Sequence, residues 1–269
     1  MIGEFRQCPM PSRLSHHTSL AGLKGILSNK EGKGICFYAV SNMYKNDKEE
    51  INMGEYILQH VRNMFHTESI LHKIGRYRES ASVSFTEGES TSYMIGEYGK
   101  YRLDFDFREY EQIGNVFSEG FLNCEYVDNE DLSNYANEYA RKLLEIYEQS
   151  KRYKALAIDY IMMVNDLICK IFTIKEIKWS KEKEWRKTVL LDESKSDTFF
   201  DSNNRPYLKV YFPKQALKAV VIFKNKKEGI LYAIFDWLRI RLFLLKKSYF
   251  RIPIRIVEYD EEIKRGCPK

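Results

Sequence analysis

Hydrophobic positions recur along the chain with two periods, and these periods predict its helices and strands. Apolar residues three and four apart predict a short helix over 20–27, with Thr18 or Ser19 as its N-cap. Strict alternation predicts a strand over 101–107. The same criteria predict further strands over 35–40, 81–85, 207–212, 217–223 and 252–257, and helices over 48–74, within 130–174 and from about 227.

The order of these elements indicates the fold class. Helices dominate the first half and the middle, whereas strands are dispersed between them and cluster near the end. Segment 130–174 lacks Gly and Pro, and we expect two helices there with a break near Ser150. The pattern therefore predicts an α+β protein, with residues 1–269 forming one domain that carries a helical insertion at about 108–174.

The composition excludes several kinds of site and structure. The five cysteines are scattered without C-x-x-C spacing, and His60, His66 and His72 do not share a helix face, so no metal site is predicted. The first 19 residues contain no long apolar run. The most apolar window, 230–245, is interrupted by Asp236, Arg239 and Arg241, so we do not expect it to span a bilayer. A protein of the cytoplasm is expected.

The net charge of +5 is unevenly distributed along the chain. Residues 104–148 contain 12 acidic and three basic residues, whereas residues 205–255 contain 13 basic and two acidic residues. The basic region suits nucleic acid, a phosphate-bearing ligand or the acidic middle of the same chain. The charge pattern alone leaves these three partners open.

The segment 178–191 begins with charged residues and continues as a predicted strand. Alternation in an extended chain would place Glu182, Glu184 and Arg186 on one face. Two carboxylates so close resist being ionised together unless a cation offsets their charges. Arg186 is the candidate cation. The alternative interpretation is a charged edge strand whose ion pairs lie in water.

A second candidate site precedes the first predicted helix. His16, His17 and Thr18 lie at its N-terminus, where anionic ligands are favoured and where imidazole and hydroxyl groups can bind a ribose. The alternative is that Thr18 caps the helix while the two histidines are exposed on the surface.

Several short motifs, taken in order, resemble the bacterial domain of unknown function 2971. An H-Y-T-S-like start corresponds to residues 16–19, although His17 stands where that family commonly has Tyr. The other matching motifs are an aromatic strand with Tyr38 and Ser41, Asn46-Asp47, Ser84-Phe85-Thr86-Glu87, Tyr93 to Gly99, the strand 101–107, and Glu182 to Arg186 as E-x-E-[WY]-R. The resemblance extends from about residue 13 to 258.

That family is in turn distantly similar to ADP-ribosyltransferases of the His-Tyr-Glu type, whose split β core binds NAD. The resemblance implies that His16, assisted by Thr18, binds the adenosine-side ribose and that Tyr38 stacks on nicotinamide. Glu184 would bind the 2′-hydroxyl of the nicotinamide ribose, and Glu182 would orient an acceptor. Ser84 and Arg186 complete the implied NAD site, with Arg186 and C-terminal basic residues facing the pyrophosphate.

The resemblance and the charge pattern lead to two hypotheses of function. The first is an ADP-ribosyltransferase-like enzyme that modifies a protein or nucleic acid or hydrolyses NAD, as a bacterial toxin, often paired with an antitoxin, or a phage-defence effector. The second is a non-catalytic module that contacts nucleic acid or a partner protein through the basic region 205–255.

Overall fold

A computed structural model describes residues 10–28, 34–41, 48–65, 80–110, 120–153, 173–190 and 198–260. Its helices are α1 (Leu20–Leu27), α2 (Lys48–Phe65), α3 (Ser92–Tyr98), α4 (Leu132–Arg152) and α5 (Ile230–Lys246). Its strands are β1 (Leu14–Thr18), β2 (Ile35–Ser41), β3 (Ser80–Thr86), β4 (Tyr101–Phe105), β5 (Gly120–Asn123), β6 (Glu125–Val127), β7 (Ile174–Glu176), β8 (Glu184–Leu190), β9 (Thr198–Phe200), β10 (Pro206–Phe212), β11 (Leu217–Asn225) and β12 (Ile254–Tyr259). Short 3₁₀ helices cover Ile177–Glu182 and Lys214–Ala216.

The chain divides into two compact units. The first unit contains Tyr38–Ser84 and Gln112–Lys209, and the second contains Pro9–Phe37, Phe85–Glu111 and Val210–Lys269. Strands β2, β3 and β10 each contribute residues to both units. Each unit has its own candidate residues, so the two are described separately.

The second unit is built on a mixed sheet in which β1 is an interior strand. β1 pairs antiparallel with β4 along its whole length, from Leu14 opposite Phe105 to Thr18 opposite Tyr101. On its other side Ser15 pairs with Thr86 of β3. β4 also pairs antiparallel with β11, and β11 pairs in parallel with β12 after the crossover through α5. The interior position of β1 explains why its polar side chains are mostly buried.

Aromatic rings fill the core of the second unit. The ring of Phe85 lies 5.2 to 6.4 Å from four other phenylalanine rings, mostly in edge-to-face geometry. These four are Phe37, Phe105, Phe107 and Phe212, and all are at most 5% exposed. Burying such rings removes a large apolar area from water and fixes the strands that carry them.

The first unit combines strands with a packed helix pair. Helices α2 and α4 bury Ile57 and Val61 of one against Ala140 and Leu143 of the other. β5 pairs antiparallel with β8, and β3 pairs with both β2 and β8. β6 and β7 form a separate parallel pair in which Tyr126 lies opposite Lys175. This short pair introduces a cationic side chain into the unit's interior.

The prediction of a protein with both helices and sheet is confirmed, as are helix 20–27 and the strands near 35–40, 81–85, 207–212 and 217–223. Residues 14–18, for which the hydrophobic pattern predicted no element, form strand β1. Helix α3 lies between the strands predicted over 81–85 and 101–107, and Thr91 caps it by accepting from the Met94 amide. Segment 108–174 contains strands as well as helix α4; its residues 111–119 and 154–172, like 66–74 of the second predicted helix, lie outside the described residues.

Candidate functional site

Four buried charged side chains of the first unit form a compact cluster. We call Lys175, Glu182, Glu184 and Arg186 the carboxylate cluster; each is at most 6% exposed. Lys175 Nζ donates to Glu182 Oε2 at 2.6 Å and to Glu184 Oε2 at 2.7 Å. Arg186 donates to Glu184 from Nε at 2.8 Å and from Nη2 at 3.3 Å. Two cations therefore balance two carboxylates away from bulk water.

A local backbone feature separates the two carboxylates. Glu182 ends the 3₁₀ helix, Lys183 adopts a left-handed conformation with φ of 43°, and Glu184 begins β8. The prediction that Glu182 shares one extended face with Glu184 and Arg186 is therefore wrong, because the chain turns at Lys183. Glu184 and Arg186 do lie two apart on one strand, and the turn still brings Glu182 to the same Lys175 ammonium group.

The backbone around Glu184 is fixed from both sides. Its amide donates to the Tyr126 hydroxyl at 2.8 Å, and its carbonyl accepts from the Cys124 amide at 2.8 Å. Burial raises the pKa of Tyr126, so the hydroxyl stays neutral. The alternative of a charged strand end in water is wrong for this segment, because Glu182, Glu184 and Arg186 are all buried.

Lys175 is the member of the cluster that sequence reasoning missed. It lies in a strand of three residues, and its contacts with Glu182 and Glu184 depend on the turn at Lys183 and on the pairing of β7 with β6. The local signal in the sequence is a lysine that directly follows the apolar Ile174 and precedes Glu182 and Glu184. Such a signal does not distinguish a buried cation from a surface one.

Tyr38 lies on β2 in the same unit and presents its ring to solvent. Its side chain is 60% exposed, and its ring centroid lies 4.9 Å from that of Tyr207. Tyr207 in turn stacks on Phe199 at 5.7 Å, and Lys209 Nζ lies 4.4 Å from the Phe199 ring centroid. We call Tyr38, Tyr207 and Phe199 the aromatic ladder; it offers flat ring faces beside a positive charge.

Ser84 belongs to β3, the strand that pairs with both β2 and β8. Its side chain is exposed. The structure thus brings Tyr38, Ser84 and Glu184 onto three neighbouring strands, with Arg186 two residues beyond Glu184.

His16 and Thr18 belong to the second unit and lie on β1. The His16 imidazole is half-buried and contacts the rings of Phe37 and Phe85 at 5.1 and 5.8 Å. Thr18 is buried, and Ser19 caps α1 by accepting from the Gly22 amide at 3.1 Å. The interpretation with Thr18 as the cap and both histidines exposed is therefore wrong.

His17 is part of a second, largely buried polar group, whose other members the sequence did not indicate. We call Ser15, His17, Ser90, Arg102 and Asp104 the histidine network. His17 Nε2 lies 2.8 Å from Ser90 Oγ, and Arg102 Nη1 donates to the same oxygen at 2.7 Å. Arg102 pairs with Asp104, which also accepts from Ser15 Oγ at 2.9 Å. Burial lowers the pKa of His17 to about 4, so its imidazole is neutral at neutral pH.

Within the described ranges, no three His, Cys, Asp or Glu side chains are grouped so that they could hold a metal ion. None of the helices in the described part of the chain combines the length and the apolar character needed to cross a bilayer.

Comparison of the chain with protein-family models, with curated proteins and with solved structures gives no match.

Proposed function

We propose that the first unit binds NAD and that Glu184 promotes cleavage of the bond between nicotinamide and ribose. ADP-ribose would then pass to a macromolecular acceptor or to water, in an ADP-ribosyltransferase-like split β core. The observation that carries this proposal is the arrangement of a fixed, buried carboxylate on β8 and an exposed tyrosine ring on β2, with β3 between them.

The chemistry requires one carboxylate in a defined position. When the C1′–N bond breaks, its electron pair leaves with neutral nicotinamide, and positive charge develops on the ribose. A carboxylate that accepts from the ribose 2′-hydroxyl stabilises this charge more in the transition state than in the ground state. The acceptor oxygen or nitrogen then bonds to C1′ and releases its proton.

The contacts of Glu184 suit such a role because they fix its position before substrate binds. Lys175 and Arg186 hold both carboxylate oxygens, while Tyr126 and Cys124 hold the backbone. Prepositioned charge needs little rearrangement during the reaction. Glu182, held by the same Lys175 ammonium group, is proposed to orient the acceptor.

The aromatic ladder supplies the proposed ring site. A nicotinamide ring that stacks on Tyr38 would continue the ladder from Phe199 through Tyr207. In the same proposal Ser84 binds the nicotinamide ribose and Arg186 faces the pyrophosphate. The setting implied by the resemblance is the bacterial cytoplasm, with the protein acting as a toxin or in phage defence.

Replacement of Glu184 tests the chemical step. We expect Glu184→Gln to reduce nicotinamide release from labelled NAD at least 100-fold while NAD still binds. Glu176→Gln is the matched control, because Glu176 follows Lys175 on β7 but pairs with Lys178. Nicotinamide release and label transfer are measured by chromatography and binding by calorimetry. A Glu184→Gln protein as active as the wild type would contradict the assignment.

Replacement of Tyr38 tests the ring site without disturbing a core residue. We expect Tyr38→Ala to weaken NAD binding about tenfold because a stacked ring contributes about 1–3 kcal/mol. Tyr38→Phe keeps the ring and should bind NAD as the wild type does. The outcome that contradicts the proposal is wild-type protein that neither binds NAD nor releases nicotinamide from it.

A further inference from the structure

Helix α5 of the second unit has apolar side chains on two opposite sides. Successive residues of an α-helix are rotated by about 100° around its axis. Ala233, Ile240 and Leu244 therefore lie on one side, and they are at most 4% exposed. The other side carries what we call the outer stripe: Leu231, Phe235, Leu238, Leu242 and Leu245, with exposures of 39 to 68%.

The outer stripe follows a regular spacing. Its five residues are separated by steps of four, three, four and three, which is the a and d spacing of a heptad repeat. A helix that is apolar on both sides is normally covered on both sides. The unit's sheet covers the inner side, whereas among the residues that the structure describes the large side chains of the outer side stay exposed.

The charges beside the outer stripe are basic. Arg239 and Lys246 are exposed along one edge, and half-buried Arg241 lies along the other. The acidic residue of this helix, Asp236, accepts from the Tyr101 hydroxyl at 2.7 Å and pairs with Lys100 at 2.8 Å. The side chain of Asp236 therefore serves its own unit, and the potential along the outer stripe is positive.

These charges discriminate between possible occupants. In an antiparallel pair formed with a second copy and centred on Leu238, the two Arg239 guanidinium groups would approach each other, which is unfavourable. A lipid surface can cover exposed apolar side chains whatever their spacing. A partner helix, in contrast, packs against apolar side chains that follow a heptad spacing. A helix with apolar a and d positions and acidic flanks fits both the spacing and the charge.

We propose that the outer stripe of α5 is a docking site for an amphipathic helix of a partner protein, with acidic residues flanking its apolar seam. Docking at the outer stripe does not require NAD binding. Within the basic region 205–255, the partner contacts this one face of α5 and is an amphipathic helix with acidic flanks.

The test uses the full chain and two synthetic peptides of about three heptads, both with Leu at a and d. One peptide carries Glu at e and g, and the other carries Lys. Fluorescence anisotropy is expected to show the Glu peptide binding at least tenfold more tightly than the Lys peptide. The preference should weaken as salt is raised, because salt screens the charge pairs.

Protein variants locate the contact. We expect Leu238→Gln with Leu242→Gln to reduce affinity for the Glu peptide at least tenfold. Tyr232→Gln is the matched control, because Tyr232 is 71% exposed on the same helix but about 100° away from the stripe, and it should bind within twofold of wild type. Arg239→Glu with Lys246→Glu should reverse the preference between the peptides.

Three results would overturn the proposal. The first is equal binding of both peptides, or binding that the Leu238 and Leu242 substitutions leave unchanged. The second is a dimer, seen by analytical ultracentrifugation, that the same substitutions dissociate, which would assign the stripe to a second copy. The third is stripe-dependent sedimentation with vesicles containing phosphatidylglycerol when neither peptide binds, which would assign it to a lipid surface.

Discussion

The carboxylate cluster and the histidine network are both buried and polar, but they meet the cost of burial differently. The carboxylate cluster contains two full positive and two full negative charges that share hydrogen bonds. The histidine network contains one Arg–Asp pair and a neutral imidazole. The carboxylate cluster is stable because its charges balance, whereas the histidine network is stable while the His17 imidazole stays unprotonated. The two should therefore respond to different perturbations.

The largest expected effect comes from removing the shared cation of the carboxylate cluster. Lys175→Met removes the ammonium group that two buried glutamates share, so we expect the free energy of unfolding to fall by about 4 kcal/mol. Urea denaturation measures this change. Adding Glu182→Gln removes the excess negative charge and should recover part of the loss.

The control for this prediction is Lys178→Met. Lys178 also pairs with a glutamate, Glu176, but both side chains are partly exposed. Its loss should cost less than about 1 kcal/mol. Equal stability of the Lys175→Met and Lys178→Met proteins would show that burial does not matter to the cluster.

The next largest effect is a pH dependence specific to the histidine network. The unfolded chain takes up a proton on His17 near its ordinary pKa of 6.5, whereas the folded protein does so only near pH 4. This contribution to stability is therefore fully present above pH 6.5 and is lost as the pH falls toward 4, by about 3 kcal/mol. Urea titrations of wild type and His17→Gln at pH 7 and 4.5 measure it, and the variant should lose less. Parallel losses in both proteins would contradict the assignment to His17.

The smallest effect concerns a single neutral donor. Ser15→Ala removes the hydrogen bond to Asp104 Oδ1, and we expect a loss of about 1.5 kcal/mol, because a buried acceptor with negative charge loses one of its donors. Ser202→Ala, at an exposed position, should change stability by less than about 0.5 kcal/mol. Thermal unfolding of the two variants at pH 7 would distinguish them. A loss in Ser15→Ala no larger than in the control would mean that Arg102 alone satisfies Asp104.

The sequence predicted the apolar elements better than the polar ones. Strand β11 contains an uninterrupted apolar run and helix α1 follows a clear apolar period, and the structure places both at nearly the predicted residues. β1 was missed because Ser15, His16 and His17 give no apolar alternation. Its partners are Phe rings, Asp104 and Ser90, which come from distant parts of the chain. Polar side chains become interior only through such long-range contacts.

The candidate site shows the same division. The pairing of Glu184 with Arg186 was predicted, because both lie two apart on a recognisable strand. The burial of the pair, the role of Lys175 and the turn before Glu184 were not, since they depend on β6, β7 and the conformation of one residue. The NAD, acceptor and partner assignments stay predictions, and the experiments above are designed to decide them.

The left-handed conformation of Lys183 has a consequence for which sequence changes the chain tolerates. Its side chain is exposed, so a Gly or Asn there would meet the same turn with less backbone strain. An inserted residue is different, because side chains alternate along β8 and a shift by one position would exchange its two faces. The turn therefore constrains the length of the chain between the two glutamates far more strictly than it constrains the identity of the residue between them.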